Sequence, residues 1–368
     1  MTKTPMNKTQ ALRAAVIGAG TGGMLSIRAL QSSDRYDLVG VADISAAARA
    51  LAVEQGVDAE MFADAAGLLD AGRPEVVCIS TFAPSHAELV DQALDAGVRA
   101  VLLEKPVALD WAAGRATLDR LEDRRVPVVV PHGLLVRPAS KAVLRHISDG
   151  GIGDLEVIEI QCQAWDLMNA GVHWVDFALA ALRDDDVQTV FAACDVSTRT
   201  FRDGIEVETE ALTYAVTRYG VRFVMQTGDD VTPARQGKSL VFRFYGSLGS
   251  IEFWGWEDRY WLRTGQGGPG SVPVTTPPLA TTAHQVYLEM LADMVERDEP
   301  QYELAELSLR ALEICEAAYV SHRHRCVVTL PLANFTPPSG LVPGQAFASQ
   351  WEPGAPYRGW GGRNGRQL

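Results

Sequence analysis

Three polar residues at helical spacing stand out in the segment NAGVHWVDF, residues 169–177. At about 100° of rotation per helical residue, Asn169, His173 and Asp176 share one face, beside an apolar face of valines and leucines. An imidazole exchanges protons near neutral pH, and a neighbouring carboxylate or amide can orient it. The pattern therefore indicates either a proton-transfer site or the solvent-facing side of an amphipathic helix.

A second candidate is the dipeptide Glu104-Lys105, which ends the apolar run VLLEKP. Ligands bind at the carboxyl edge of open parallel sheets, and a lysine there must meet water, a carboxylate or a ligand. The preceding predicted strand ends at the same edge with the segment STFAPSH, which contributes Ser80, Thr81, Phe82 and His86. For His86, a surface position at the start of a helix is an equal alternative.

A glycine-rich turn near the start of the chain predicts a dinucleotide site. It fits G-x-G-x-x-G between a predicted strand and a predicted helix, and comprises Gly18, Gly20, Thr21, Gly22 and Gly23. Glycines allow a tight turn and close approach of the backbone to a pyrophosphate, whose charge the helix N-terminus favours. Asp43 ends the second predicted strand, where an acid binds the adenosine ribose hydroxyls and repels a 2′-phosphate. We therefore expect NAD as cofactor, in preference to NADP.

The elements around these residues follow two patterns. Over the first third of the chain, five short apolar strands alternate with helical segments, which is typical of a parallel Rossmann-type sheet covered on both faces. From about Val187 to Arg263, period-two alternation predicts successive antiparallel strands. A flexible loop over 264–282 and two helices, from about His284 and about Leu304, are expected to follow.

We therefore predict an α/β protein of two domains. The N-terminal domain is an NAD-binding Rossmann domain, and the C-terminal domain is an α+β domain with a large open, mostly antiparallel sheet for substrate binding and oligomerisation. The predicted bounds are 1–131 for the first, 132–330 for the second, and 331–368 for a Pro/Gly-rich tail or arm.

Composition limits the class of protein. The 368 residues carry a net charge of −13 without a basic cluster, which argues against nucleic acid and anionic membranes as partners. Neither a signal-peptide pattern nor an apolar run of membrane-spanning length occurs, and five scattered cysteines are typical of reduced thiols, so we expect a cytoplasmic protein. The segment SHRHRC is interpreted as a basic helix end, and we expect no metal site.

Taken together, these motifs resemble the glucose–fructose oxidoreductase/inositol dehydrogenase/rhizopine-catabolism (Gfo/Idh/MocA) oxidoreductases. The likeness reaches about residue 332 and includes the glycine turn, STFAPSH in the place of T-P-x-x-x-H, and EKP. It also includes GIGDLEVIEI, FYGSLGSIEF and the two closing helices. The resemblance implies an NAD(P)-dependent enzyme acting on sugars, polyols or related alcohols, which forms dimers or tetramers through its open sheet.

In such enzymes the lysine of E-K-P activates the substrate hydroxyl, and the histidine of a D-x-G-x-H-x-x-D segment acts as general base or acid. The resemblance assigns these roles to Lys105 and His173. The chain departs from the family pattern in four places. Asn169 replaces the first acid of that segment, Phe82 replaces a proline, PHGLLVRP replaces a polar stretch, and AWDLM is a shortened connection.

The expected activity is oxidation of a secondary hydroxyl of a sugar, polyol or glycoside, with Lys105, His173 and Asn169 in the catalytic site. Further cofactor contacts are expected from the STFAPSH residues, Glu104, Lys105 and His132. The predicted substrate contacts are Lys105, Trp165, Asp166, Asn169, His173, Asp176 and His284. Two alternatives stay open. One is a redox-neutral enzyme that cleaves or epimerises glycosides through transient oxidation, and the other is a non-catalytic regulator that responds to a sugar or to NAD.

Overall fold

A computed structural model describes residues 11–196, 200–202, 205–233, 237–265 and 270–338. Most of the predicted tail or arm, from residue 339 onward, lies outside the described residues. The described chain forms two compact units. The first consists of residues 11–107, 116–131 and 281–305, and the second contains the described residues of 108–115, 132–280 and 306–338.

The first unit contains a parallel sheet of six strands within the described residues, in the order β3-β2-β1-β4-β5-β6. The strands are β1 (Leu12–Ile17), β2 (Tyr36–Ala42), β3 (Glu60–Phe62), β4 (Val76–Ile79), β5 (Ala100–Leu103) and β6 (Val128–Val129). Strands β4 and β5 are buried throughout, which explains their uniformly apolar sequences. The predicted Rossmann-type sheet is confirmed, and the short edge strand β3 is an addition to it.

Helices connect and flank the strands. Their bounds are α1 (Thr21–Gln31), α2 (Ala46–Glu54), α3 (Ala65–Gly72), α4 (His86–Asp95), α5 (Trp111–Asp123), α6 (Pro138–Ser148), α7 (Val172–Leu182), α8 (Ala283–Arg297) and α9 (Glu303–His324). Side chains cap several of them, since Ser45, Asp64 and Thr282 accept hydrogen bonds from first-turn amides of α2, α3 and α8. Within the described part of the chain, no helix is long and apolar enough to cross a membrane.

Helix α8 packs in the first unit although it follows the second unit's strands in sequence. Arg35 lies 3.2 Å from Glu289 and 2.8 Å from Asp293, and the hydroxyl of Tyr36 donates to the carbonyl of Leu288. The sequence analysis placed one boundary between the two domains, at residue 131, and assigned α8 to the second. It could not assign α8 to the first, because contacts between residues about 250 positions apart leave no local pattern.

The second unit contains a sheet of nine strands within the described residues, in the order β16-β15-β14-β13-β7-β12-β11-β8-β17. Its strands are β7 (Leu155–Gln163), β8 (Val187–Asp195), β11 (Glu210–Thr217), β12 (Arg222–Gly228), β13 (Leu240–Gly246), β14 (Gly249–Trp254), β15 (Arg259–Thr264), β16 (Val272–Thr275) and β17 (Val328–Thr329), and a separate hairpin comprises β9 (Thr200–Arg202) and β10 (Ile205–Val207). Among the strand pairs of the described residues in this sheet, only β7 and β12 are parallel, so the predicted mostly antiparallel sheet is confirmed.

Two parts of this unit differ from the sequence expectation. Strand β16 lies in the segment predicted to be a flexible loop, where it pairs with β15 at the edge of the sheet. The β9–β10 hairpin was not predicted either. Strands of three or four residues are too short for alternation to distinguish them from loops.

Helix α7, which carries His173, is fixed on the sheet by aromatic packing. Phe177 contacts Phe242, Phe244 and Phe253 of the sheet at ring-centroid distances of 5.0, 6.0 and 5.9 Å. These rings are fully buried and meet mostly edge to face, a favoured geometry for aromatic pairs. The helix backbone on which the candidate histidine lies is therefore held rigidly within the second unit.

The attachment of α8 to the first unit can be tested with Tyr36→Phe. The substitution removes a buried hydroxyl donor, at a cost of about 1 kcal/mol, so amide exchange in α8 should accelerate roughly fivefold. Hydrogen-exchange mass spectrometry of peptides covering 283–297 measures this. Tyr219→Phe, at an exposed tyrosine, should leave that exchange unchanged. Unaltered exchange in Tyr36→Phe would show that the hydroxyl does not hold the helix.

Candidate functional site

The glycine turn combines two kinds of glycine. A Cβ atom on Gly18, whose φ is +101°, would lie 2.4 Å from the carbonyl oxygen of Ser80, and one on Gly23 would lie 1.8 Å from that of Gly18. These two positions are closed by the protein's own backbone. A Cβ on Gly20 would meet no atom within 4 Å. The turn therefore leaves open space at Gly20, before the N-terminus of α1, where a pyrophosphate could approach the backbone.

Asp43 ends β2 beside this turn. Its carboxylate accepts hydrogen bonds from the amides of Ala19 and Ser45, each at 2.7 Å. Each oxygen retains a lone pair for a ribose hydroxyl, because a carboxylate offers about four acceptor sites. Arg49 donates to the main-chain carbonyl of Asp43, not to its carboxylate. The turn and Asp43 thus fit the adenosine half of a dinucleotide.

The segment after β4 has an internal hydrogen-bond network. The hydroxyls of Thr81 and Ser85 form a hydrogen bond of 2.7 Å, whereas Phe82 is exposed. His86 is completely buried, with its ring nitrogens 3.0 Å from the carbonyl of Thr81 and 3.1 Å from that of Val107. Burial lowers the pKa of His86 although both carbonyls favour protonation. The buried His86 ring therefore stabilises the loop through contacts with two of its carbonyl groups. The side chain of Phe82, by contrast, is exposed to solvent.

Glu104 and Lys105 follow β5. The Glu104 carboxylate lies 2.8 Å from Nε2 of His284, at the start of α8, and packs against Gly22. Burial opposes ionisation of Glu104, but the hydrogen bond from His284 and the charge of Lys105 outweigh it, so the pKa of Glu104 lies below its ordinary value. His284, predicted as a substrate contact, is buried in the structure and binds Glu104. A carboxylate fixed in this way is positioned beside the glycine turn.

In the second unit, two histidines form a direct pair. Nδ1 of His173 lies 2.8 Å from Nδ1 of His132, and their rings are nearly perpendicular. Nε2 of His132 lies 2.7 Å from the hydroxyl of Ser308 in α9 and 3.8 Å from the carboxylate of Asp176. His132 is 1% exposed and Asp176 0%, whereas His173 is half-buried. His173 is therefore the member of this cluster that is open to solvent. His132, predicted as a cofactor contact, is instead buried and contacts His173.

Asn169 lies before α7 in the structure, not within the helix that carries His173. Residues 167–171 form a π-helical turn with a hydrogen bond from the Gly171 amide to the carbonyl of Asp166 at 2.8 Å, and α7 begins only at Val172. A π turn contains more residues than an α turn, so the assumed rotation of about 100° per residue fails there. Asp176 likewise faces the interior instead of solvent.

Asn169 belongs to a second polar cluster instead. Its side-chain amide lies 3.3 Å from both carboxylate oxygens of Asp166, which also accepts from the Asn169 backbone amide at 2.8 Å. Arg202 bridges Asp166, at 3.1 Å, and Asp229, at 2.7 Å. The Asp166 carboxylate is therefore balanced by Arg202 and fixes the π turn. Trp165, directly before it, is half-buried.

Glu208 also binds the π-helical turn of residues 167–171. Its carboxylate accepts from the Leu167 amide at 2.7 Å and from the Tyr319 hydroxyl at 2.6 Å. Burial raises the pKa of Glu208 to about 7, with a further contribution from the charge of Asp166. Glu208 therefore changes its charge near neutral pH next to the segment that carries Asn169.

Sequence reasoning missed four of these residues, which are Arg202, Glu208, Asp229 and Ser308. None falls at a motif spacing, and their partners are 27 to 176 residues away in the chain. A possible signal was the shortened AWDLM connection, because a tight turn into a buried helix needs polar groups to satisfy its backbone.

Fold and site define the class of protein. A six-stranded parallel sheet with a glycine turn after β1 and an acid after β2 is the arrangement of NAD-binding Rossmann domains. Residues 12–132 match the family described as an oxidoreductase family with an NAD-binding Rossmann fold, Gfo/Idh/MocA. Residues 12–132 therefore match that family, as the motifs predicted, and an NAD-binding domain is confirmed for this part of the chain.

Curated relatives agree with this assignment. D-apiose dehydrogenase from Paraburkholderia graminis is 35% identical over 146 residues, which are 38% of this chain and 37% of the relative. Inositol 2-dehydrogenase from Rhizobium meliloti is 33% identical over 152 residues, which are 40% of this chain and 44% of the relative. The chain thus matches about two-fifths of the length of these curated relatives.

Among solved structures, an oxidoreductase from Agrobacterium radiobacter in complex with NAD+, L-tartaric acid and magnesium is similar over most of the chain. The TM-score is 0.72 at 19% identity, with 86% of this chain and 98% of that chain covered. Likeness at this identity shows that both domains share their fold with that protein.

The two kinds of glycine predict different effects of the same substitution. Gly20→Ala should leave the thermal unfolding midpoint nearly unchanged and weaken NAD binding at least tenfold, because its methyl group occupies the open space. Gly23→Ala should destabilise the first unit, because its methyl group overlaps the carbonyl of Gly18. Calorimetric NAD titration and thermal unfolding of both variants test this. Wild-type NAD affinity in Gly20→Ala would exclude the turn as the pyrophosphate site.

Glu208 predicts a pH dependence of stability. Its pKa is about 7 in the folded protein and about 4.5 as an ordinary glutamate, so between these values the unfolded chain loses the proton first. The free energy of unfolding should fall by a few kcal/mol as pH rises through this window, at about 1.4 kcal/mol per pKa unit. Glu208→Gln removes the ionisable group and with it this pH dependence. The free energy of unfolding of the variant should equal that of wild type near pH 4.5 and exceed it above pH 7.

Urea unfolding of wild type and Glu208→Gln at several pH values measures the difference. Glu156→Gln, at an exposed position of β7, provides the same chemical change and should show no such trend. A Glu208→Gln difference that stays constant with pH would contradict the raised pKa.

Proposed function

We propose that this chain is an NAD-dependent oxidoreductase that oxidises a secondary hydroxyl of a sugar, polyol or glycoside. The proposal is carried by one observation, the half-buried imidazole of His173, fixed through Nδ1 by His132. A histidine oriented in this way is suited to exchange a proton through its other nitrogen. The match of residues 12–132 to an NAD-binding family supports the proposal, because alcohol oxidation requires a redox cofactor.

NAD would be held by the glycine turn and Asp43. The amides at the start of α1 would bind its pyrophosphate, and the Asp43 carboxylate would bind the ribose hydroxyls. Bound NAD would supply the hydride acceptor that alcohol oxidation requires. The negative charge of Asp43 disfavours a 2′-phosphate, so we propose NAD in preference to NADP.

The chain's own residues handle the hydroxyl proton. His173 accepts this proton at Nε2, because Nδ1 is engaged by His132. Lys105 stabilises the negative charge that develops on the substrate oxygen. Its ammonium group also balances the ionised Glu104.

A polyhydroxylated substrate is the class that we favour. D-apiose dehydrogenase and inositol 2-dehydrogenase are relatives of this chain over its first domain, and their names give a sugar and a cyclic polyol as substrates. Asn169, Trp165 and Lys105 are proposed substrate contacts.

We also propose contacts between copies of the chain through the open sheet, where Phe191, Leu212 and Tyr214 are partly exposed.

The assignment of His173 and Lys105 can be tested by screening sugars, inositols, sugar acids and glycosides for NADH formation. On the best substrate, His173→Ala should reduce kcat by about 10² to 10⁴, the usual contribution of a general base. Lys105→Ala should lose activity while it retains most of its NAD affinity. His324→Ala, at the end of α9, should behave as wild type.

Near-normal turnover in His173→Ala would exclude the proposed base. Substrate conversion without net NADH would instead identify a redox-neutral reaction on the same residues, and NAD binding without conversion of any compound would favour a regulator.

A further inference from the structure

We propose that His132 relays the proton accepted by His173 into the protein interior, where the carboxylate of Asp176 balances its charge. His132 and Asp176 are then positioning residues that act through His173. The inference rests on the proposed general-base role of His173. In it, Asp176 takes the place of the acid that the chain lacks at position 169.

The acid must come from elsewhere because neither nearby candidate can provide it. Asn169 carries no charge, and its amide is engaged with Asp166. Asp166 is itself balanced by Arg202 and bound to the π turn. Its negative charge is therefore already compensated by a fixed cation, and the acid that serves His173 must be a different group.

Asp176 has the required position. It lies one helical turn after His173 on α7, is completely buried, and approaches Nε2 of His132 to 3.8 Å. Among the described residues, neither of its carboxyl oxygens has a hydrogen-bond partner. A buried carboxylate is costly unless a cation faces it. His132 is the group near it that can become that cation.

The hydrogen bonds determine the direction of the relay. Two Nδ1 atoms at 2.8 Å share one hydrogen, so one ring donates and the other accepts. If Nδ1 of His173 donates, Nε2 of His173 can accept a proton, and Nε2 of His132 carries a hydrogen. A hydrogen on Nε2 of His132 faces the hydroxyl oxygen of Ser308 and the carboxylate of Asp176. A negative carboxylate thus favours the form of the pair in which His173 is a base.

The transfer consists of two coupled steps. The substrate O–H bond breaks as a bond from that hydrogen to Nε2 of His173 forms. The Nδ1–H bond of His173 then breaks, and the hydrogen bonds to Nδ1 of His132. His173 ends neutral, His132 becomes an imidazolium, and its positive charge lies 3.8 Å from the negative charge of Asp176. No oxidant or other reactant takes part in these steps.

Several charged groups on neighbouring elements are exposed or paired with another charge. On α6, Lys141 and Arg145 are exposed, and on β7 Glu159 binds Arg243. On α9, Glu306 binds Arg115 and Arg310 binds Asp186.

On β7, which packs against α7, burial keeps the Cys162 thiol neutral by raising its pKa to about 12. Burial raises the pKa of Asp176, and a positive charge on His132, 3.8 Å away, opposes this shift by favouring the carboxylate. The His132–His173 pair is therefore the titrating partner that Asp176 faces.

The test is an NMR titration of the full chain labelled with ¹³C at histidine Cε1, without substrate. The sequence has seven histidines, and the resonances of His132 and His173 are assigned by their loss in His132→Gln and His173→Gln. In Asp176→Asn, the titration midpoint of the pair should move to lower pH by about one unit or more, because a facing negative charge is removed. Asp185→Asn, at another buried carboxylate of the second unit, should leave it in place.

A double-substitution cycle tests whether Asp176 acts through His132. In the His132→Gln background, His173 should titrate at lower pH, and adding Asp176→Asn should cause no further shift. If Asp176→Asn does not fold, His132→Gln alone still tests the relay through the midpoint of His173. An unshifted midpoint in folded Asp176→Asn, or equal shifts of Asp176→Asn with and without His132, would overturn the proposal. Because no turnover is measured, a failed relay is distinguishable from a failed oxidoreductase assignment.

Discussion

The hydrogen bond between Nδ1 of His132 and Nδ1 of His173 is the constraint on which the second unit's site depends. It joins a segment that follows β6 to helix α7, and it fixes which nitrogen of His173 can exchange a proton. The bond requires that one ring donates and the other accepts, so the protonation of the two rings is correlated. The backbone of α7 must be held for this geometry to persist, and packing of Phe177 against three phenylalanines of the sheet holds it.

Two polar clusters lie on either part of the segment that leads into α7 and carries His173. Asp166, Arg202 and Glu208 satisfy the π turn that leads into α7, and Asn169 is part of that cluster. His132 and Asp176 lie on the buried side of His173. In the proposed relay, an asparagine at position 169 is compatible with proton transfer, because His132 and Asp176 support the imidazole instead. This division follows from chemistry, since a carboxylate already paired with arginine has little remaining effect on a second cation.

The sequence predicted those features that repeat locally. Continuous apolar runs predicted the strands of the parallel sheet, and glycine spacing predicted the turn before α1. His173 was predicted as a site residue because its neighbours form a motif, and that role stays a prediction. The His132–His173 contact was not predicted because its members are 41 residues apart and His132 falls in a departure from the family pattern. The π turn that contains Asn169 was not predicted, because the 100° rule assumes α-helix throughout the segment.

Neutron diffraction from a crystal exchanged into D₂O at alkaline pH would test the central claim most directly, because it locates the exchangeable hydrogens on both rings. The account predicts deuterium on Nδ1 of His173, directed at His132, and on Nε2 of His132, directed at Ser308, with no deuterium on Asp176. Deuterium on Nδ1 of His132, with none on its Nε2, would contradict it, because His173 would then be a proton donor in the state in which it must act as a base.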